Sequence, residues 1–125
     1  MTLHGARRLL AATLLLLGLA APADAAELYM FRRVGCPWCA AWDRAIGPIY
    51  PKTDLGRALP LREVDLDRDP KPAVDLAQPV VFTPTFVLVD QGREVGRIEG
   101  YPGEDFFWGL LDKLAAKARP AAGGS

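Results

Sequence analysis

The chain has 125 residues, half of them hydrophobic, with 15 basic against 15 acidic side chains and a formal net charge of zero. That length suits one domain of ordinary size, and the even charge excludes both a basic face for nucleic acid and an acidic interaction tail. Two cysteines and one histidine cannot supply the four thiol or imidazole ligands of a structural zinc site within one chain.

Residues 1–25 read as an export leader. Arg7 and Arg8 precede an apolar run from Leu9 to Ala21, the length of a signal-peptide core and short of the ~20 residues that cross a bilayer. Pro22 and the small-residue pattern Ala23-Asp24-Ala25 follow, so cleavage is expected after Ala25; the alternative is an uncleaved or buried hydrophobic helix. No cysteine lies at the cut for lipid attachment, and no Ser or Thr stands directly before the arginine pair, which favours the general secretory route over twin-arginine export. Cleavage removes His4 and leaves 26–125 without histidine, in a compartment where disulfides form and persist.

The remainder alternates strand and helix. Residues 27–33 (ELYMFRR) form a short apolar and aromatic run that reads as a strand ending at Gly35. A helix is expected from Cys36 to about Ile46, with Pro37 at its first position, where a missing N–H costs nothing. Gly47-Pro48 marks a break and Pro51 a second stop. Residues 59–66 (LPLREVDL) give the next strand, followed by the proline-punctuated 69–72 and, over 73–77, at most one or two helical turns. The segment 80–90 (VVFTPTFVLVD) is the most β-prone, and because Pro84 cannot donate to a central ladder its strand is expected at 85–89. Asp90-Gln91-Gly92 signals a hairpin into 94–99. A helix is expected from Gly103 to about Lys117, with Glu104 and Asp105 favouring its positive end and Phe106, Phe107, Leu110, Leu111 and Leu114 as a core stripe. The domain is expected to span 26–119 and a disordered tail 120–125.

Cys36-Pro37-Trp38-Cys39 is the motif that carries chemistry. At the start of a helix, Cys36 meets free N–H groups and the positive dipole end, which stabilise a thiolate, the attacking species in disulfide exchange. Cys39, one turn on, can attack the resulting mixed disulfide from within the chain. Two other uses of the pair stand beside this one. A purely structural disulfide closing so short a loop contributes only about 2 kcal/mol, and two thiolates can hold Cu(I). The acids Asp65, Asp67 and Asp69 mimic the opening of a calcium loop, but Pro70 stands where that loop needs glycine and Leu76 where it needs glutamate.

GCPWC at 35–39, VDLDRDP at 64–70, FTPTFVLVD at 82–90, QGREVGRIEG at 91–100 and the amphipathic C-terminal helix together resemble the thioredoxin-like superfamily. The resemblance runs from about Glu27 to Lys117. It implies an α/β fold in minimal form: a four-stranded mixed sheet, order 2-1-3-4, flanked by about three helices, since the extra strand and helix of larger thioredoxins have no counterpart. It also implies a cis bond between Thr83 and Pro84 beside Cys36, leaving the Thr83 backbone free to pair with an extended peptide. Gly100 and Tyr101 would form the opposite wall of that groove. Trp38 would contact partners or else cover the core edge, and Trp42 would pack.

Three positions depart from the family pattern. Met30 replaces the buried aspartate that assists the resolving thiol, and Gly35 stands where thioredoxin carries tryptophan. Glu63 falls at the family's buried lysine and is offered as a substitute proton acceptor, against the alternative of a solvated strand-edge carboxylate.

The expectation is an exported, periplasmic thiol–disulfide oxidoreductase that uses Cys36 and Cys39. It would need no metal or cofactor beyond that redox-active disulfide. The absence of histidine and the Pro-Trp pair between the cysteines point to a reductase of particular disulfide-containing periplasmic proteins. In this it resembles the short exported thioredoxin-like proteins of bacterial sulfur-oxidation loci. The resemblance implies a membrane thiol–disulfide electron donor, through which alone the protein would meet the membrane, and no nucleic-acid partner. A Cu(I)-binding module and a periplasmic thiol oxidant are the alternatives.

Overall fold

A computed structural model describes residues 25–118; the export leader expected over 1–25, except Ala25, and the tail expected at 120–125 lie outside the described residues. The first strand, β1 (Glu27–Arg32), leads through a tight turn into α1 (Pro37–Ala45). A single 3-10 turn (Tyr50–Lys52) and a short helix, α2 (Asp54–Ala58), carry the chain to β2 (Leu61–Asp65). After an irregular stretch come β3 (Thr85–Asp90), β4 (Arg93–Glu99) and the C-terminal α3 (Glu104–Ala118).

The strands form one sheet in the order β2-β1-β3-β4. β1 and β2 are parallel, a pairing that needs the long crossover through the helices between them, whereas β1–β3 and β3–β4 are antiparallel. Thr53 caps α2, its hydroxyl accepting the Gly56 N–H at 3.0 Å. The hairpin between β3 and β4 turns at Gln91 and Gly92, with φ of 54° and 76°, the conformation that matches strand twist. The register slips between Leu88 and Val89: Leu88 lies opposite Gly96, and Val89 opposite Glu94, leaving Val95 as an extra residue. This β-bulge puts Glu94 and Arg97 on one face of β4, although residues three apart in a regular strand face opposite ways.

Alternation along β1 and β3 divides the core in two. Leu28, Met30, Phe86 and Leu88 face one way and meet Trp42 of α1 and Phe107, Leu111 and Leu114 of α3. Trp42 is the hub, its ring 5.4 Å from that of Phe86 and 5.8 Å from that of Phe107. Phe31, Val87 and Val89 face the other way. Among the described residues no helix covers them; Val64, Leu66, Val74, Leu76 and Val80 do.

Two expectations are corrected. The helical turns expected over 73–77 are absent: the segment is extended, with Pro72, Val74 and Leu76 partly buried and Ala73, Asp75 and Ala77 exposed, and Asp75 bridges to Arg93. Apolar residues at every second position suit an extended chain on a sheet, not a helix. The stripe on α3 is also narrower than expected. Phe107, Leu111, Leu114 and Ala115 are buried, but Phe106 is 71% and Leu110 40% exposed, because at 100° per residue those two fall outside the arc that reaches the sheet. The segment 52–58, for which no element was expected, holds α2.

Candidate active site

Cys36 is the N-cap of α1, with extended backbone, and Pro37 takes the first helical position. Its carbonyl accepts the Ala40 N–H at 3.1 Å, the first bond of the helix, and its Sγ accepts the Cys39 N–H at 3.1 Å, one of the amide groups that a helix start leaves unpaired. Gly35 turns the chain into this cap at φ 76°, a conformation that a tryptophan would adopt only at a steric cost. Cys36 and Cys39 are joined by a disulfide. Cys36 is partly exposed, whereas Cys39 is 1% exposed in the main core.

A cleft of about 480 Å³ opens beside the motif between Trp38, Phe82, Thr83, Gly100, Tyr101 and Pro102. It brings together four residues singled out in the sequence, from three separate segments. Pro84 is buried behind it, the Thr83–Pro84 bond is cis, and the Gly100 N–H donates to the Pro84 carbonyl at 2.7 Å, tying the two walls. Trp38 is 63% exposed. Among the described residues, neither the amide nor the carbonyl of Thr83 has a backbone partner. Tyr101 packs edge-on against Phe107; burial, with Glu104 nearby, pushes its phenol up from the ordinary value, so it stays a neutral hydroxyl.

Phe82 is the wall that sequence reading missed. It is 59% exposed, and its carbonyl accepts the Thr85 hydroxyl at 2.6 Å. An aromatic directly before Thr83-Pro84, outside the strand, was the available signal. On the other side of Cys36 a second hollow of about 500 Å³ is lined by Arg32, Arg33, Pro37, Ala40 and Asp65 among others.

Met30 is fully buried. Near it Arg32 forks onto Asp43 of α1, at 2.9 and 2.6 Å, and reaches Glu63 of β2 at 3.0 Å. Glu63 is thus brought to Arg32, with 51% of its side chain exposed. The hydrogen bond from Arg32 to Asp43 outweighs burial and raises the guanidinium's pKa, keeping it charged. Among the described residues no group of three or more His, Cys, Asp or Glu is placed to hold a metal ion.

No protein-family model matches the chain, and neither does any curated protein. Solved structures do. The periplasmic thioredoxin SoxS from Paracoccus pantotrophus, in its reduced form, is 53% identical, with a TM-score of 0.71 over 74% of this chain and 98% of its own. The chain belongs to the thioredoxin-like superfamily. Thioredoxin from Fasciola hepatica (17% identical, TM-score 0.52, covering 73% of this chain and 82% of its own) and thioredoxin f2 from Chlamydomonas reinhardtii (15%, 0.53, 72% and 79%) share the fold. With the Cys36–Cys39 disulfide at the head of α1, this thioredoxin-like protein is a thiol–disulfide oxidoreductase.

Proposed function

We propose that the protein is exported, its leader removed after Ala25, and that it reduces disulfides of particular periplasmic proteins. In the reduced enzyme the Cys36 thiolate attacks one sulfur of the partner's disulfide, forming a mixed disulfide and expelling the other sulfur as a thiolate. Cys39, losing its proton, then attacks Cys36 Sγ. The Cys36–Cys39 disulfide forms and the partner leaves as a dithiol, two electrons richer. A membrane dithiol donor returns those electrons. The partner's backbone pairs with Thr83 over Pro84, between Trp38 on one side and Gly100 and Tyr101 on the other. Glu63, ion-paired to Arg32, is the proposed proton acceptor for the resolving thiol.

The observation that carries this reading is the asymmetry of the pair. Cys36 caps the helix within reach of solvent while Cys39 is buried behind it, the division of labour that attack and resolution require. The 53% identity to a periplasmic thioredoxin supports the location, and the lack of histidine in 26–125 supports the reducing direction.

Cys39→Ser in the periplasm is expected to trap mixed disulfides with client proteins, which mass spectrometry would name. The reduction potential is expected at about −250 mV or below, whereas about −120 mV, the range of a dedicated oxidant, would reverse the direction. No trapped client, together with stoichiometric Cu(I) on the purified protein, would replace the reading with metal binding.

A further inference from the structure

The stretch between β2 and β3, residues 66–84, has no helix or strand of its own, yet it does two jobs. It covers the second face of the sheet and it delivers Phe82 and Thr83 to the cleft. A backbone without a regular ladder needs other partners for its polar groups. Asp75 finds them on the β-hairpin: its N–H donates to the Gly92 carbonyl at 3.1 Å and its carbonyl accepts the Glu94 N–H at 3.0 Å.

Beyond Asp75 the partners are two side chains. Glu94 Oε1 accepts the Ala77 N–H at 3.1 Å. Arg97 donates to the carbonyls of Gln78, at 2.7 Å, and Pro79, at 3.3 Å. The two residues grip each other through Nε and Nη2 at 2.7 and 2.6 Å, with only 9% and 5% of their side chains exposed. The bulge at Val95 is what lets both reach the same side. From Pro79 only Val80 and Val81 intervene before Phe82, whose carbonyl is fixed from the other end by Thr85. The wall of the cleft is therefore an arc held at both feet, one foot being Arg97.

We propose that the Glu94–Arg97 pair positions the substrate-recognition arc: it sets Phe82 and Thr83 by holding the backbone of 77–79, without touching substrate. This rests on the reading of the Thr83 cleft as the partner's binding groove. A buried ion pair is poor evidence of stabilisation, since apolar residues of similar volume cover a sheet as well or better. Apolar residues cannot, however, hold an amide and two carbonyls in place. Nor can lysine, which lacks the planar fork.

The test compares a protein disulfide, insulin, with the small aromatic disulfide 5,5′-dithiobis(2-nitrobenzoate), which needs no groove. In Arg97→Lys, KM for insulin should rise about tenfold with kcat nearly unchanged, while the rate with the small disulfide and the reduction potential stay within experimental error of the parent. The apolar pair Glu94→Leu with Arg97→Met should keep or recover the melting temperature but not the low KM. A folded variant with the parent's KM, or an equal loss on both disulfides, overturns the proposal. A parent protein whose reduction of insulin rises linearly with insulin concentration, with no saturation, overturns the groove reading instead, and the inference with it. Should the variants fail to fold, amide exchange in the parent decides: the Ala77 N–H should be protected about as strongly as those of β4, and exchange at the rate of an unstructured chain overturns the proposal.

Discussion

Arg32 makes three hydrogen bonds to two carboxylates on two different elements, and its fork geometry is what permits it. Lysine would keep the charge but could not bridge Asp43 in two places while reaching Glu63. Because Asp43 and Glu63 are 39% and 51% exposed, solvent screens much of the attraction. Arg32→Lys is therefore expected to cost only about 1 kcal/mol, read as a lower urea midpoint at unchanged slope; a midpoint equal to the parent's would show that the fork contributes nothing. None of this was legible in the sequence, where Arg32, Asp43 and Glu63 are separated residues with no spacing rule to join them. The cysteine pair announced itself as a short motif whose chemistry is local, whereas Trp38, Thr83, Pro84, Gly100 and Tyr101 were singled out through the resemblance to the thioredoxin-like superfamily.

Among the elements, those with local start and stop signals were legible. Pro37 at the first helical position, Gly92 in the hairpin turn and acidic residues opening α3 mark their boundaries to within a residue or two. The extended segment over 73–77 was misread because a few apolar residues between prolines fit a short helix and an extended segment alike until the sheet beneath is known. α2 was missed although Thr53 and Asp54 are local start signals, because five residues with a glycine at their centre are too short to show a helical period. Gly56 lies so close to the 3-10 turn that an added Cβ would overlap the Tyr50 carbonyl oxygen and lie 3.1 Å from Thr53 Oγ1. Tyr50 is itself buried and donates its hydroxyl to the Leu59 carbonyl at 2.5 Å, and burial pushes that phenol far above its ordinary value. Gly56→Ala thus meets backbone that cannot yield, and a loss of about 2 kcal/mol or more is expected. A thermal midpoint within about 2 °C of the parent would show that the turn adapts.

For the molecule as a whole, the two faces of the sheet are held by different means. Helices α1 and α3 cover one through close aromatic packing, while a strap anchored by one ion pair lies across the other. That difference sets the response to pH. His4 lies outside the described residues, so no imidazole among them changes charge near neutrality. Glu94 has its pKa lowered, chiefly by the hydrogen bond from Arg97 and also by the Ala77 N–H, against the opposing effect of burial. A carboxylate lowered on folding contributes stability in full above its unfolded pKa of about 4.3 and loses it as pH falls through the folded value. Stability should therefore be flat from pH 7 down to about 5 and then fall in acid. Glu94→Gln should be less stable than the parent at neutral pH and converge on it in acid. Parallel curves for the two proteins would remove Glu94 from the account.

The bulge at Val95 carries one more consequence, for how this chain tolerates changes of length. Glu94 and Arg97 meet because β4 holds one residue more than its ladder needs. Inserting a further residue between them would turn one of the two toward α3, setting a charged group against the helix whose Leu114 packs over Gly96. A point substitution in this strand changes a contact; a one-residue insertion exchanges the faces beyond it. The number of residues in β4, as much as their identity, keeps the recognition arc in place on the far side of the sheet.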